Sequence, residues 1–500
     1  MAQDRVVIAG AGIGGLTAAV ELAARGMDVT VLERASAPGG KMRQVAVGDA
    51  RIDAGPTVFT MRWVFDELCD IAGTSLESEL SLRQSDVIAR HAWAAGGQLD
   101  LFADVQRSAE AVAAFAGPAE GRHFLAFSAD ARAIYQTLKG PFISSTRPSP
   151  VSLVRRVSSG GLGGLANIKP FSTMWSALGN HFKDARLRQL FGRYATYCGS
   201  SPFLAPATLM LVAHVVQDGV WLVDGGMHAL ARAVAGVAER AGARIRYHAE
   251  VAEVLTERGR VAGVRLADGE RLRADAVVVN GDVAAVAAGL FGRAVARAVP
   301  PVPRNDRSLS AVTFSMHAET SGFPLLHHSV FFSRDYPAEF DDIFKHGRLP
   351  GEPTIYVCAQ DRGGSNTQAP GGPERLLLLV NAPPIGDTHT FDEPEIEQCA
   401  ARTYSLLERC GLQVRRRPDN TRITTPTDFN RLFPGTGGAL YGRASHGWTA
   451  SFSRPGARTR VPGLYLAGGS THPGPGVPMA ALSGRLAAAS LTADRVSTKR

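Results

Sequence analysis

The sequence predicts an α/β fold: a parallel-sheet lobe assembled from three separated stretches of chain, 1–75, 219–305 and 435–500, with inserted α+β material at 76–218 and 306–434 forming a second lobe. Three observations predict it. The N-terminus carries two buried-type apolar runs, VVIAGAG and DVTVLER, joined by a glycine turn and a helix-forming stretch, GGLTAAVELAARG. Far downstream, ADAVVVNGD and VPGLYLAGG repeat the short, wholly apolar run that a parallel sheet covered on both faces requires. Between these pieces the patterns are mixed, and 500 residues at 45% hydrophobic content suffice for two or three lobes with real cores.

In chain order, Arg5 to Arg34 reads strand, turn, helix, strand, with Gly26 as the helix stop. After Ile71 comes an inserted region of strands and helices up to about Asp218. From Asp224, DGGMHALARAVAGVAERAG has helical apolar spacing, and ARIRYHAEVAEVLTE, VAGVRLADG and ADAVVVNGD follow as short strand runs with a hairpin at ADG. Ser310 to Arg375 alternates strand runs with loops, RLLLLVNAP is a buried strand, and FDEPEIEQCAARTYSLLERCG is an amphipathic helix. The chain then reaches VPGLYLAGG and GSTHPGPGVPMAALSGRLAA. Three prolines keep that last loop out of a helix until Pro478, a first-turn proline. The small residues behind it, Ala480, Ala481, Ser483, Gly484, Ala487 and Ala488, are expected to keep the helix slim so that something flat can approach its N-terminus.

Totals exclude several classes. The excess of 54 Lys+Arg over 46 Asp+Glu is only +8, so its placement matters more than its size. Cys69, Cys198, Cys358, Cys399 and Cys410 form no CxxC pair and no ligand spacing, which points to a reducing compartment, core roles and no metal centre. The start is a poor match to a signal-peptide core. The longest uncharged stretch, Tyr194 to Gln217, is interrupted by GSSP and Pro206, so no segment is expected to cross a membrane.

Gly10, Gly12 and Gly15 make a GxGxxG between strand and helix, and Glu33 ends the second strand. Gly10 allows a tight turn, Gly12 lets backbone approach a pyrophosphate, and Gly15 brings helix against strand. Glu33 is suited to accept both ribose hydroxyls of an adenosine and to repel a 2′-phosphate that Arg34 alone would have suggested. This is the fingerprint of a Rossmann dinucleotide site. GGKMR (Gly39 to Arg43) and DAGPTVF (Asp53 to Phe59) extend it beyond one βαβ unit, as a flavin needs, and HPGPGVP ahead of a helix suits the O2 end of an isoalloxazine ring. No second GxGxxG occurs, so a separate NAD(P)H domain is not expected.

VVIAGAGIGGLTAAVELAARGMDVTVLERASAPGGKM resembles the FAD end of the amine oxidase and carotenoid desaturase superfamily. DAGPTVFT, HHSVFFSRDYPAEFDDIF and LAGGSTHPGPGVPMAALSGRLAA resemble the bacterial phytoene desaturase-type carotenoid desaturases. Amine oxidases usually carry a glutamate where Gly469 stands, and the HPGPGVP loop is not theirs. The resemblance implies a glutathione reductase-like FAD-binding Rossmann domain with an inserted α+β substrate domain. It also implies FAD contacts at Gly10, Gly12, Gly15, Glu33, Gly40, Lys41, Gly55, Pro56, Thr57, Val251, Asp282, Gly468, Gly469, Val477, Pro478 and Met479. GGSTHPGPGVPMAALSGR, with Met479 after the proline, is most similar to the branch acting on 1-hydroxy or 1-methoxy acyclic carotenoids at C-3,4. Desaturation of phytoene or neurosporene is the alternative, ahead of an amine oxidase.

The implied chemistry is hydride removal from one carbon of a polyene by oxidised flavin, with a proton leaving its neighbour. Positive charge left by the hydride spreads over the polyene, so no strong base is required. His327, His328, His472 and Tyr441 are candidate polar groups, and none is assigned as catalytic. A carotenoid substrate needs a buried apolar tunnel that opens toward a membrane. Between Asp130 and Asp184 there is no acidic residue, against Arg132, Lys139, Arg147, Arg155, Arg156, Lys169 and Lys183, with Tyr135, Phe142, Leu153, Leu162, Phe171, Met174 and Trp175 interleaved. That pattern predicts peripheral attachment to the inner membrane from the cytoplasmic side, with a solvated basic face of a lid as the other reading. No nucleic-acid-binding motif accompanies the charge.

Overall fold

The computed structural model describes residues 4–146, 172–363, 370–447 and 449–498. Its N-terminus folds as strand Arg5–Ala9, helix Ile13–Ala23 and strand Asp28–Leu32, with Gly26 at φ +78° after the helix. These strands belong to a five-stranded parallel sheet in the order Leu464–Leu466, Ala276–Val279, Arg5–Ala9, Asp28–Leu32, Arg244–Arg246. The apolar runs are continuous because both faces are covered. Val6, Ile8, Val29, Val31 and Val278 pack on helices Ile13–Ala23, Met227–Arg240 and Val477–Thr498. Val7, Val277, Val279, Leu464 and Leu466 pack on a three-stranded antiparallel sheet of Val251–Glu257, Arg260–Leu266 and Arg271–Arg273. The run ARIRYHAEVAEVLTE is thus divided between two sheets, with the break at His248, a non-glycine residue at φ +54°.

A second, seven-stranded sheet runs Thr421–Thr424, Ser310–Ala318, Glu374–Ala382, Ile355–Ala359, His328–Phe332, Val87–Trp93, Gln98–Phe102. All its pairings are antiparallel except that of His328–Phe332 with Val87–Trp93. Side chains of a strand alternate between faces. In Glu374–Ala382, Leu376, Leu378 and Val380 therefore face a core shared with the amphipathic helix Glu393–Arg409, while Leu377, Leu379 and Asn381 face the other way.

Three expectations are corrected. The region from Ser310 to Arg375 contains a helix, Tyr336–Phe344, capped by the Asp335 carboxylate on Ala338 N at 3.0 Å. Of the small residues of the last helix only Ala480 lines a cavity, and those behind it serve a helix crossing: a Cβ on Gly484 would stand 2.1 Å from Gly14 O, and Ala481, Ala487 and Ala488 are wholly buried. The supposed interfacial residues Tyr135 and Met174 are core residues, and Phe142 lines a cavity. Arg132 and Lys139 are exposed; Arg147, Leu153, Arg155, Arg156, Leu162, Lys169 and Phe171 lie outside the described residues. No helix among the described residues is long and apolar enough to cross a membrane.

Candidate functional site

Parallel strands end in carboxyl termini whose neighbouring loops form a crevice, the usual ligand position in such sheets. Here Ala9, Leu32, Asn280 and Gly468, each at the end of a strand, line one cavity of about 890 Å³ that continues to the inner face of the seven-stranded sheet. Asn280 ties three strand ends together: its N–H donates to Ala9 O at 2.8 Å and its Nδ2 to Ala467 O at 2.9 Å.

Gly10 turns the chain at φ +106°, and Gly12 caps helix Ile13–Ala23 without a side chain. A Cβ on Gly12 would stand 2.6 Å from Asn280 Oδ1, an atom buried without a partner among the described residues. Gly15 does not line the cavity. It sits behind the turn, where a Cβ would meet Gly10 O at 2.2 Å, so its role is to close the turn onto the helix. Every other residue expected at the site lines the cavity: Gly10, Gly12, Glu33, Gly40, Lys41, Gly55, Pro56, Thr57, Val251, Asp282, Gly468, Gly469, Val477, Pro478 and Met479.

The polar groups among them are already oriented. Glu33 accepts from Ala11 N at 2.7 Å and Ala35 N at 2.9 Å. Lys41 donates from Nζ to Leu440 O at 2.6 Å and lies 5.3 Å from the Phe433 ring centre; burial lowers its pKa. Asp282 caps the short helix Val283–Ala287, accepting from Ala284 N at 3.0 Å. Thr57 Oγ1 meets Tyr356 Oη at 2.6 Å. The loop after Gly468 is held by Ser483, whose hydroxyl accepts from Gly468 N at 3.1 Å and meets Thr471 Oγ1 at 2.5 Å.

The cavity also brings in residues that sequence reasoning missed. Arg454, buried, donates to the carbonyls of Tyr441 (2.9 Å), Gly469 (3.3 Å) and Arg443, and burial pulls its pKa down to about 10. Arg193 is half-buried with its guanidinium 5.3 Å from the Tyr356 ring centre and 5.8 Å from that of Tyr197. Thr313, Thr354, Tyr356 and Asn381 come from the sheet face. Asn280, in the NGD run where Asp282 departs from the commoner NAD ending, was not singled out either, and the rest carried no local signal.

Of the four polar candidates, only Tyr441 lines the cavity, and burial pushes its pKa up to about 12. None of the three histidines lines the cavity. His472 Nε2 pairs with Phe142 O at 2.9 Å, and burial holds its pKa down at about 4. His327 Nδ1 pairs with Arg362 O at 2.9 Å and its Nε2 lies 3.6 Å from Cys358 Sγ, while His328 Nδ1 pairs with Tyr356 Oη at 2.7 Å. Burial lowers both of their pKa values.

This donor set fits a flavin dinucleotide. A positioned carboxylate stands at one end, an uncapped helix N-terminus with cations nearby in the middle, and a second helix N-terminus, at Val477, beyond. Among the described residues the lining carboxylates are Glu33, Glu250 and Asp282, which stand beside the parallel-strand ends and the Val251 strand; the sheet-face wall contributes none.

Comparison with known proteins agrees. The chain matches the flavin-containing amine oxidoreductase family over residues 13–492. It is 55% identical to the hydroxyneurosporene desaturase of Rubrivivax gelatinosus, over 99% of this chain and 94% of that one. It is 45% identical to the hydroxyneurosporene desaturase of Cereibacter sphaeroides, over 99% of each, and 29% identical to the 1-hydroxycarotenoid 3,4-desaturase of a Flavobacterium species, over 97% and 98%. Among solved structures, putrescine oxidase bound to putrescine has the same fold at 16% identity, with a TM-score of 0.59 over 98% of this chain and 99% of that one.

Proposed function

The chain belongs to the flavin-containing amine oxidoreductase family and, within it, to the bacterial carotenoid desaturases; from that premise we propose that it introduces the C-3,4 double bond into acyclic carotenoids bearing a 1-hydroxy or 1-methoxy group. It is an FAD-dependent oxidoreductase and a carotenoid desaturase. The observation that carries the carotenoid reading over an amine is the cavity wall. Beyond the strand ends, among the described residues, it is apolar, with leucine, valine and phenylalanine side chains, a few neutral polar groups and the cation Arg193. An amine substrate is a cation at neutral pH and would meet Arg193 with no carboxylate in compensation. A long polyene with one neutral polar end has no such conflict. Similarity to two hydroxyneurosporene desaturases across nearly the whole chain supports the same branch.

In this reading Glu33 takes the ribose hydroxyls, Val251 the adenine edge, the Gly10–Gly12 turn and the helix behind it the pyrophosphate, and residues 477–479 the electronegative edge of the ring system. The other lining residues of the fingerprint, from Gly40 and Lys41 to Gly55, Pro56, Thr57, Asp282, Gly468 and Gly469, frame the cofactor, and Gly15 supports it from behind. When bound, the flavin supplies the hydride acceptor. The protein's own part is to hold the polyene straight against Leu377 and Leu379, exclude water, and fix which carbon stops beside the ring. The stretches 1–75, 219–305 and 435–500 form the cofactor lobe, and 76–218 with 306–434 the substrate lobe.

The substrate enters from a membrane. Helix Pro118–Leu138 and the π-helical turn Lys139–Ile143 carry Leu138 and Phe142 on the cavity and Arg132 and Lys139 on the outside, so the wall of the tunnel bears basic charge where lipid would meet it. The test is expression in a bacterium that accumulates 1-hydroxylated acyclic carotenoids. One added conjugated double bond moves the extracted pigment to longer wavelength; an unchanged spectrum, with colour gained only in a phytoene-accumulating strain, assigns the phytoene reading instead.

A further inference from the structure

On the hydroxycarotenoid reading, we propose that Thr313 and Asn381 form the seat for the substrate's terminal hydroxyl, with Glu339 positioning Asn381. Register brings them together. Thr313 stands opposite Leu379 on the neighbouring strand, and Asn381 follows two residues on, so both point to the same face as diagonal neighbours. On the other side Tyr356 stands opposite Leu379, and Thr354 adjoins Asn381 through the same pairing. All five line the cavity. The wall therefore changes character along its length, from Leu377 and Leu379 to Asn381 and Thr313.

The two polar atoms offered there are complementary. Asn381 Nδ2 donates to Glu339 Oε1 at 3.1 Å. Glu339 is 1% exposed and is held as an acceptor by Thr354 N at 3.0 Å and Ser333 Oγ at 3.3 Å. That network assigns the amide orientation, leaving Oδ1 as an acceptor with no partner among the described residues. Thr313 is 2% exposed, and its Oγ1 is buried without a partner among the described residues. A tertiary alcohol donates one hydrogen bond and accepts others, so it satisfies both atoms: it donates to Asn381 Oδ1 and accepts from Thr313 Oγ1. A methyl ether accepts from Thr313 and has nothing to donate to Asn381. A plain hydrocarbon end leaves both atoms dry and unpaired, which discriminates against it. The seat thus ranks substrates: hydroxylated first, methoxylated second, unsubstituted last.

The experiment uses the FAD-loaded enzyme and three substrates, 1-hydroxyneurosporene, its 1-methoxy counterpart and neurosporene. It compares wild type with Thr313→Val and Asn381→Leu, with flavin content and Tm checked for each. Thr313→Val removes a hydroxyl that makes no bond among the described residues, so folding is spared. It is expected to lower kcat/KM for both oxygenated substrates about tenfold and to raise it for neurosporene, whose end no longer leaves a buried hydroxyl unpaired. Asn381→Leu is expected to lower only the hydroxylated one, again about tenfold. A purely structural role would lower all three together. Thr313→Val with normal flavin and Tm and unaltered kcat/KM ratios of the oxygenated substrates to neurosporene overturns the seat while leaving the activity standing. Wild type that desaturates neurosporene and neither oxygenated carotenoid overturns the functional reading, and the seat with it.

Discussion

At the scale of single residues, the site is rigid before any ligand arrives. Glu33 already takes two backbone N–H groups, so its remaining lone pairs face the cavity in a fixed direction. Glu33→Ala is expected to weaken FAD binding, and Gly12→Val to weaken it more, because a side chain there meets Asn280 Oδ1 and fills the space beside the helix N-terminus. The flavin-to-protein absorbance ratio of the purified variants measures both; undiminished flavin in Gly12→Val contradicts the assignment. Residues of this kind were legible because the fingerprint is local: glycines at fixed spacing and an acid at a strand end. Arg454 was not, since its partners are backbone carbonyls up to 15 residues away and backbone carries no sequence signal. Asn381 was hidden for another reason. It lies in a run of leucines and is functional only through the cross-strand register.

At the scale of elements, the apolar strands and the helices with clear caps were readable, and the errors came from tertiary demands. The helix Tyr336–Phe344 has an N-capping aspartate and an early proline, yet its short length and aromatic content match a strand pattern equally well. The closing helix was read as slim for the benefit of a ligand; its small residues instead let it cross helix Ile13–Ala23, with Gly484 against the Gly14 carbonyl, and the crossing places residues 477–479 at the cavity. Gly484→Leu is expected to force these helices apart and to lower Tm by several degrees or abolish soluble protein, with loss of flavin. Ala489→Leu, on the exposed side of the same helix, is the control. Thermal unfolding of the two variants checks this, and a Gly484→Leu protein as stable as the control contradicts it.

At the scale of the whole molecule, the parallel sheet and the seven-stranded sheet close on one cavity, with a dinucleotide cradle at one end and an apolar wall at the other. The proposed substrate is almost wholly apolar, and the proposed route to that wall is from lipid. Replacing Arg155 and Arg156 by Glu is expected to reduce flotation with anionic liposomes strongly, each basic residue near the surface adding on the order of 1 kcal/mol. Equal flotation of wild type and variant removes that segment as the attachment site. The central claim, that this flavoprotein desaturates a hydroxylated acyclic carotenoid, is tested most directly by giving the purified FAD enzyme 1-hydroxyneurosporene and phytoene separately, with an electron acceptor, and resolving the products by chromatography and mass spectrometry. The account predicts a product of 1-hydroxyneurosporene lacking two hydrogens and carrying the new double bond at C-3,4; desaturation of phytoene with the hydroxylated carotenoid returned unchanged would contradict it.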